Sequence, residues 1–153
     1  MNGSVGRLVS ILYRKQQVYL NGALKPFGLT ASELPVLSCL FGNDGVSQED
    51  LSCFLSIDKA STARTVQSLV DKGFLTKEKD PSDRRANRIL LTARALRQKE
   101  EIGEVLQRWT RFLTEDFGEE SLTVLFRLLE EMARKASTAD LRELDKVDDE
   151  KNG

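Results

Sequence analysis

Hydrophobic residues recur at helical spacing through most of the chain, interrupted once by a hairpin. Val5, Leu8, Val9 and Leu12, continued by Val18, Tyr19 and Leu24, mark a first helix over residues 4–25, which Pro26 and Gly28 stop. In the segment LTASELPVLSCLF, Thr30 is placed to cap a second helix. Glu33 completes a capping box, and Leu29 and Leu34 form a hydrophobic staple. Leu37, Leu40 and Phe41 line its buried side. Pro35 would fall just past the first turn, where its ring and missing N–H are expected to cost a helical bond or bend the helix. After the loop GNDG, VSQEDLSCFL repeats the entry logic, with Ser47 as cap, Asp50 at the third position and an end near Ser56. A fourth helix runs from its cap Asp58 to Lys72, with Gly73 closing it.

Phe74–Lys79 and Asn87–Leu91 predict two strands, joined by DPSDRRA, whose Asp80, Pro81, Ser82 and Asp83 are turn formers. Thr92 caps a long fifth helix with Leu96, Ile102, Val105, Leu106, Trp109, Phe112 and Leu113 as its apolar positions. Gly118 interrupts, and a last helix carries Leu122, Leu125, Phe126, Leu129, Met132 and Ala136. From residue 137 the composition turns polar and acidic, which predicts a frayed or disordered tail. On the fourth helix, a rotation of about 100° per residue puts Ala60, Ala63, Val66 and Val70 on one side. Ser61, Thr65, Ser68 and Lys72 then lie roughly opposite, flanked by Arg64.

Composition narrows the function. The 153 residues suffice for one domain with a real core, at 40% hydrophobic and 31% charged. No apolar run approaches the roughly 20 residues that span a bilayer. The first residues lack the uninterrupted apolar stretch of a signal peptide, so a cytoplasmic protein with no membrane association is expected. There is no histidine, and the only cysteines are Cys39 and Cys53. That argues against a disulfide framework, histidine-based catalysis and most zinc sites. A Gly-rich phosphate loop and a nucleophile–base pair are also lacking, so neither an enzyme nor a cofactor or metal site is expected.

A net charge of −1 conceals segregation. Residues 58–88 hold eight basic and five acidic side chains, whereas residues 137–153 hold six acidic and three basic. The basic segment combines a helix sized for the DNA major groove with a hairpin able to reach the next groove. Candidate contacts on the helix are Lys59, Ser61, Thr62, Arg64, Thr65, Ser68 and Lys72, and in the hairpin Arg84, Arg85 and Arg88. Arg64 suits a bidentate guanine contact, while Lys59 and Lys72 suit phosphate. Polar outer faces are common on solvated helices, and it is the adjoining basic hairpin that favours double-stranded DNA as partner.

The stretches GLTASELPVL, VSQEDLSCFLSIDKASTARTVQSLVDKGFL and DPSDRRANRILLT give the chain its resemblance to the MarR family of bacterial winged-helix regulators, over roughly residues 5–136. Asp83-Arg84-Arg85 followed by Leu91-Thr92 is the most specific part. The resemblance implies a mainly α fold with a small β-wing: a winged helix-turn-helix at 29–92 embedded in dimerisation helices at 4–27 and 93–136, with the acidic tail from 137. It also implies a homodimer, wing insertion of Arg85 into the minor groove, a bracing role for Asp83, and DNA release on binding a small phenolic or other effector or on cysteine oxidation. We favour phosphate contact for Arg84. The chain departs from the family pattern at Ala95, where Gly is common, at Pro35 and Phe54, and in lacking the N-terminal cysteine of peroxide-sensing members. The expected function is a sequence-specific repressor on a near-palindromic operator.

Several features have plainer readings. Cys39, beside Leu37 and Leu40, reads as a buried structural thiol. Cys53 lies toward the margin of its helix and is the candidate for a redox-responsive alternative, with an inert thiol favoured. Tyr19, Trp109 and Phe112 could line a ligand pocket, but at helical spacing they read first as core or dimer interface. A winged-helix scaffold that binds protein would need an apolar outer face on the fourth helix, and the hydroxyl-and-Arg face argues against it.

Overall fold

The computed structural model describes residues 3–142. The helices are α1 (Val5–Ala23), α2 (Leu34–Gly42), α3 (Gln48–Leu55), α4 (Lys59–Asp71), α5 (Ala93–Thr114) and α6 (Glu119–Thr138), with strands β1 (Leu75–Lys79) and β2 (Asn87–Leu91) between α4 and α5. The chain divides into two compact units, Met1–Leu113 and Thr114–Gly153. The fold is mainly helical with one small antiparallel wing, as the helical spacing and the turn formers between the two strands predict.

In the first unit each element starts where a side chain can satisfy a free backbone N–H. The Ser4, Ser47 and Asp58 side chains accept from the N–H groups of Arg7, Asp50 and Ser61. Thr92 Oγ1 accepts from Ala95 N at 3.2 Å. Gly73, at φ +77°, ends α4 in the left-handed region that disfavours other residues. α3 and α4 pack as a helix-turn-helix against α2, and the wing pairs Leu75 with Leu91 through Lys79 with Asn87. The core gathers Leu24, Leu37, Leu51, Val66, Leu69 and Phe74, each fully buried.

Two sequence expectations are corrected. α2 begins at Leu34, three residues later than the Thr30 cap requires. Residues 31–33 form a turn, and Pro35 sits in the first helical turn, where its missing N–H and fixed φ are tolerated. The proline therefore sets the start of the helix instead of bending its body. Half of the expected capping box survives, since Glu33 Oε2 accepts from Thr30 N at 2.8 Å. The second correction concerns the wing, which has an addition the sequence pattern did not show. Ser47 bridges to Arg88, and the loop before α3 exchanges backbone hydrogen bonds with Ile89 through Gly45 N (3.0 Å) and Val46 O (2.9 Å). That loop turns through Gly45 at φ +80°.

The long helices leave much apolar surface bare. On α1 only Leu20 is buried, while Val5, Leu8, Val9, Leu12 and Tyr13 are 46–59% exposed. On α5 the predicted core positions Leu96 and Phe112 are 54% and 63% exposed, and burial falls on Ala95, Ile102 and Val105. In the second unit α6 has no buried residue, and its apolar side chains Val124, Phe126, Leu128, Leu129 and Met132 stay 42–47% exposed. α6 extends to Thr138, past the expected onset of the tail, and residues 143–153 of that tail lie outside the described residues.

Glu33 is the one carboxylate in the buried set, at 3% exposure. Lys72 Nζ donates to both its oxygens at 2.7 and 2.8 Å, and Ser68 Oγ donates to Oε1 at 2.6 Å. Burial alone would raise its carboxyl. The hydrogen bonds from Lys72, Ser68 and the Thr30 N–H, with the charge of Lys72, outweigh burial and hold it below the ordinary glutamate value. Its folded pKa being depressed, the stabilisation is present above the unfolded value and is lost as pH falls through the folded one. Lys72→Met should cost about 2–4 kcal/mol in urea unfolding at pH 7. That is toward the lower part of the range for a buried pair, because the Lys72 side chain is 32% exposed. Without Lys72 the burial of Glu33 is no longer outweighed, so the variant should lose less stability on acidification and its deficit against the parent should narrow as pH falls. Equal urea midpoints at pH 7 would show that the carboxylate is held without the lysine.

Candidate nucleic-acid interface

The recognition surface is set by which side of α4 meets the core. Thr62, Val66 and Leu69 are its buried residues. Lys59, Ala60, Arg64, Gln67 and Asp71 are exposed, and Ser61, Ala63, Thr65, Ser68 and Val70 are half-buried. At about 100° per residue the outermost line is Ala60, Arg64, Gln67 and Asp71. The side assigned from sequence as outward is thus one flank of the true outer face. The sequence reading took Ala60 for a core contact because small residues suit close helix packing. The structure uses Thr62 there, whose Oγ1 donates to Asp58 O at 3.0 Å and so enters the core with its hydroxyl satisfied.

The sequence-predicted contacts fall into three groups. Arg64, Ser61 and Thr65 remain on accessible parts of α4, and Arg64 Nη2 donates to Ser61 Oγ at 2.9 Å, which orients the guanidinium across the helix face. Lys59 is accessible but paired, its Nζ 2.7 Å from Glu49 Oε1 with both side chains at least 70% exposed. Thr62 at 1% exposure has no surface to offer a groove, and Ser68 and Lys72 are turned inward onto Glu33.

In the wing, Arg84 and Arg85 are exposed. Asp83 Oδ1 accepts from Arg85 N at 2.9 Å, a turn that fixes the backbone under the arginine. Asp80 forms a similar turn, its Oδ1 accepting from Ser82 N and Oγ at 2.8 and 2.6 Å. The side-chain and backbone hydrogen bonds from Ser82 hold the Asp80 carboxyl below its ordinary value. Arg88 points the other way. Its Nε donates to Gly45 O at 3.0 Å, and a Cβ on Gly45 would come within 2.6 Å of its Nη2, so glycine makes room for it. Arg88 therefore pins the loop before α3 to the wing. Lys59, Asp83 and Arg85 meet across a cleft of about 410 Å³ between the start of α3 and the wing, lined also by Ser47, Gln48, Glu49 and Asn87.

Sequence reasoning missed Gln67, whose signal was its place three residues after Arg64. Gln67 Nε2 donates to Asp71 Oδ1 at 2.8 Å, and Lys77 Nζ on β1 donates to Gln67 Oε1 at 3.0 Å.

Elsewhere, Cys53 is exposed and Cys39 half-buried, with burial pushing the Cys39 thiol up. Trp109 stacks on Tyr19 at 5.4 Å and meets Phe112 at 6.0 Å. With Arg108 these rings line an open cleft of about 280 Å³, so they are not sealed in the core, and the ligand-pocket and dimer-interface readings remain. Among the described residues no helix is long and apolar enough to cross a membrane.

Known proteins share this arrangement. The MarR family model matches residues 29–86. A MarR transcriptional regulator from Methanosarcina mazei Go1 is 32% identical, with a TM-score of 0.83 over 86% of this chain and 95% of that one. The HTH-type transcriptional regulator BilQ of Clostridioides difficile (strain CD3) is 26% identical over 116 residues, 76% of this chain and 78% of BilQ. A cysteine-to-serine mutant of MarR from E. coli, solved in complex with operator DNA, is 26% identical with a TM-score of 0.75, over 84% of this chain and 92% of that one.

The inward turn of Ser68 separates stability from readout. Ser68→Ala leaves one Glu33 oxygen with a bond fewer and should lower unfolding free energy by about 1–2 kcal/mol. The sequences recovered in a selection of bound DNA fragments should stay the same. A changed sequence preference with unchanged stability would return Ser68 to the reading face.

Proposed function

Because the chain belongs to the MarR family and is a transcriptional regulator of that family, we propose that it is a repressor that binds a near-palindromic operator as a homodimer and responds to a small-molecule effector. The observation that carries this reading is the pairing of two exposed basic elements, Arg64 at the centre of the outer face of α4 and Arg84-Arg85 at the tip of the wing. A helix in the major groove with a basic loop beside it matches the division between base reading and groove-width reading. The homodimer is supported by the bare apolar sides of α1 and α6, larger than a protein of this size leaves to water without reason. The effector is supported by the aromatic cleft of Tyr19, Trp109 and Phe112, whose volume of about 280 Å³ lies near the lower bound for small-molecule sites. The proposed location is the cytoplasm, where operator DNA is reached. The exposed thiol of Cys53 favours one second reading, a redox-responsive regulator.

In this reading Arg84 contacts phosphate and Arg85 enters the minor groove, with Asp83 shaping the turn that presents it. Arg64 reads a base edge, and Ser61 and Thr65 assist on its flank. The two recognition helices of a dimer would lie one DNA turn apart, about 34–36 Å.

The test titrates parent, Arg64→Ala and Arg85→Ala proteins against selected operator and scrambled DNA at several salt concentrations. Solution mass should be near twice 17.2 kDa. Arg64→Ala should cost about 1–3 kcal/mol on the operator, concentrated at one or two base positions per half-site. Arg85→Ala should weaken binding and flatten its salt dependence, with little change in core sequence preference. Equal weakening on all sequences by both variants would reduce Arg64 to a phosphate contact, and no effect from either would remove DNA from this face. For the second reading, peroxide should leave operator binding unchanged; a loss that Cys53→Ser abolishes would establish thiol control.

A further inference from the structure

Gln67 is exposed on the line that runs outward through Arg64, yet its amide is held at both ends. One Nε2 hydrogen is given to Asp71 Oδ1 at 2.8 Å, and one Oε1 lone pair receives Lys77 Nζ at 3.0 Å. A primary amide has two donor hydrogens and two acceptor lone pairs. The two internal bonds leave one donor hydrogen and one acceptor lone pair of the amide uncommitted and remove much of the rotamer freedom that a surface glutamine would lose on binding. Such a donor and acceptor match adenine in the major groove, which offers N7 as acceptor and N6–H as donor. We propose that Gln67 is a specificity-determining residue that reads an adenine edge, positioned by Asp71 and Lys77.

The geometry also places that adenine. Three helical residues rise about 4.5 Å, and successive base pairs are about 3.4 Å apart. The A·T pair therefore lies one or two base pairs from the pair contacted by Arg64. Lys77 belongs to β1, so the wing's first strand takes part in aiming a recognition-helix side chain. Asp71, at the end of the same outer line, bears a carboxylate that repels phosphate, which favours its use in orienting the glutamine over any direct backbone contact.

The inference rests on the DNA-binding reading above, and its test separates the two. The parent, Gln67→Ala, Gln67→Glu and Lys77→Met proteins are each put through the same selection of bound DNA fragments, then titrated against the parent's preferred site. That site is also made with each adenine in turn replaced by 7-deazaadenine, which lacks the N7 acceptor. Thermal unfolding of every variant controls for folding. Gln67→Ala should bind the preferred site about tenfold to one hundredfold more weakly and lose its preference at one A·T pair per half-site. The 7-deazaadenine at that position should weaken the parent and leave Gln67→Ala unaffected. Gln67→Glu, an acceptor without a donor, should move the preference at that position from adenine toward cytosine, whose N4 amine donates. Lys77→Met should blunt the adenine preference without creating another. If the parent selects a defined site and Gln67→Ala selects the same one, or weakens all sequences equally, the glutamine is a brace between α4 and β1 and this inference is wrong. If the parent selects no site at all, the DNA-binding reading itself fails.

Discussion

A buried carboxylate fixes the orientation of α4. Glu33 stands just ahead of α2 at 3% exposure, and its partners Ser68 and Lys72 lie on the last two turns of α4. A charge in such a place is costly unless its lone pairs are filled, and here Lys72, Ser68 and the Thr30 N–H fill them. The arrangement is directional in a way that apolar packing is not. Leu69 and Val66 would tolerate some rolling of α4 against the core, but Glu33 accepts donors from only one angular sector. Rolling the helix by one residue would strand a buried charge. The network therefore sets the angle at which Arg64 and Gln67 face outward.

The same end of α4 is clamped by the start of α5. Arg94 donates to Lys72 O at 2.6 Å with its guanidinium 4.6 Å from the centre of the Phe74 ring, and Thr92 Oγ1 donates to Gly73 O at 2.8 Å. These contacts satisfy carbonyls that a helix end leaves open and place positive charge at its negative pole. They also join α4 directly to the helix whose opposite end carries Trp109 and Phe112. A shift of α5 driven by filling the aromatic cleft would be passed through Thr92 and Arg94 to the angle of α4. That is the physical link a ligand-responsive regulator needs, since an effector acts only through a difference in its interaction with two arrangements.

Local signals made most of the architecture legible. Asp58, Ser47 and Thr92 cap as their residue types suggest, Gly73 ends α4, and the turn formers at 80–83 mark the hairpin. What stayed hidden depends on contacts distant in sequence. Nothing near Ser68 or Lys72 in the chain reveals that their partner is Glu33, 35 and 39 residues away. Arg88 looked like its neighbours Arg84 and Arg85, and only the fold brings Gly45 against it. The roll of α4 was misjudged because two alanines are ambiguous between a close-packed side and an open one, whereas a threonine can hide its hydroxyl in its own helix. Pro35 was read as a defect because the helix was started too early.

These assignments change how the charge of the basic segment works. Of its eight basic side chains, Lys72 faces Glu33, Arg88 serves Gly45 O, Lys59 pairs with Glu49, and Lys77 holds Gln67. Lys72 and Arg88 stabilise the fold first and add only a diffuse positive potential. The Lys59–Glu49 pair is solvent-exposed, so it costs little to exchange for a phosphate. In the proposed complex the directly available contacts would be Arg64, Lys79, Arg84 and Arg85, with Lys59 released on docking and Lys77 kept on Gln67. Counterion release scales with charges neutralised, so the salt dependence per chain should reflect about four or five contacts and fall short of the eight that composition suggests. The sequence overstates the electrostatic face because it counts charges, whereas the fold decides which of them point toward the DNA.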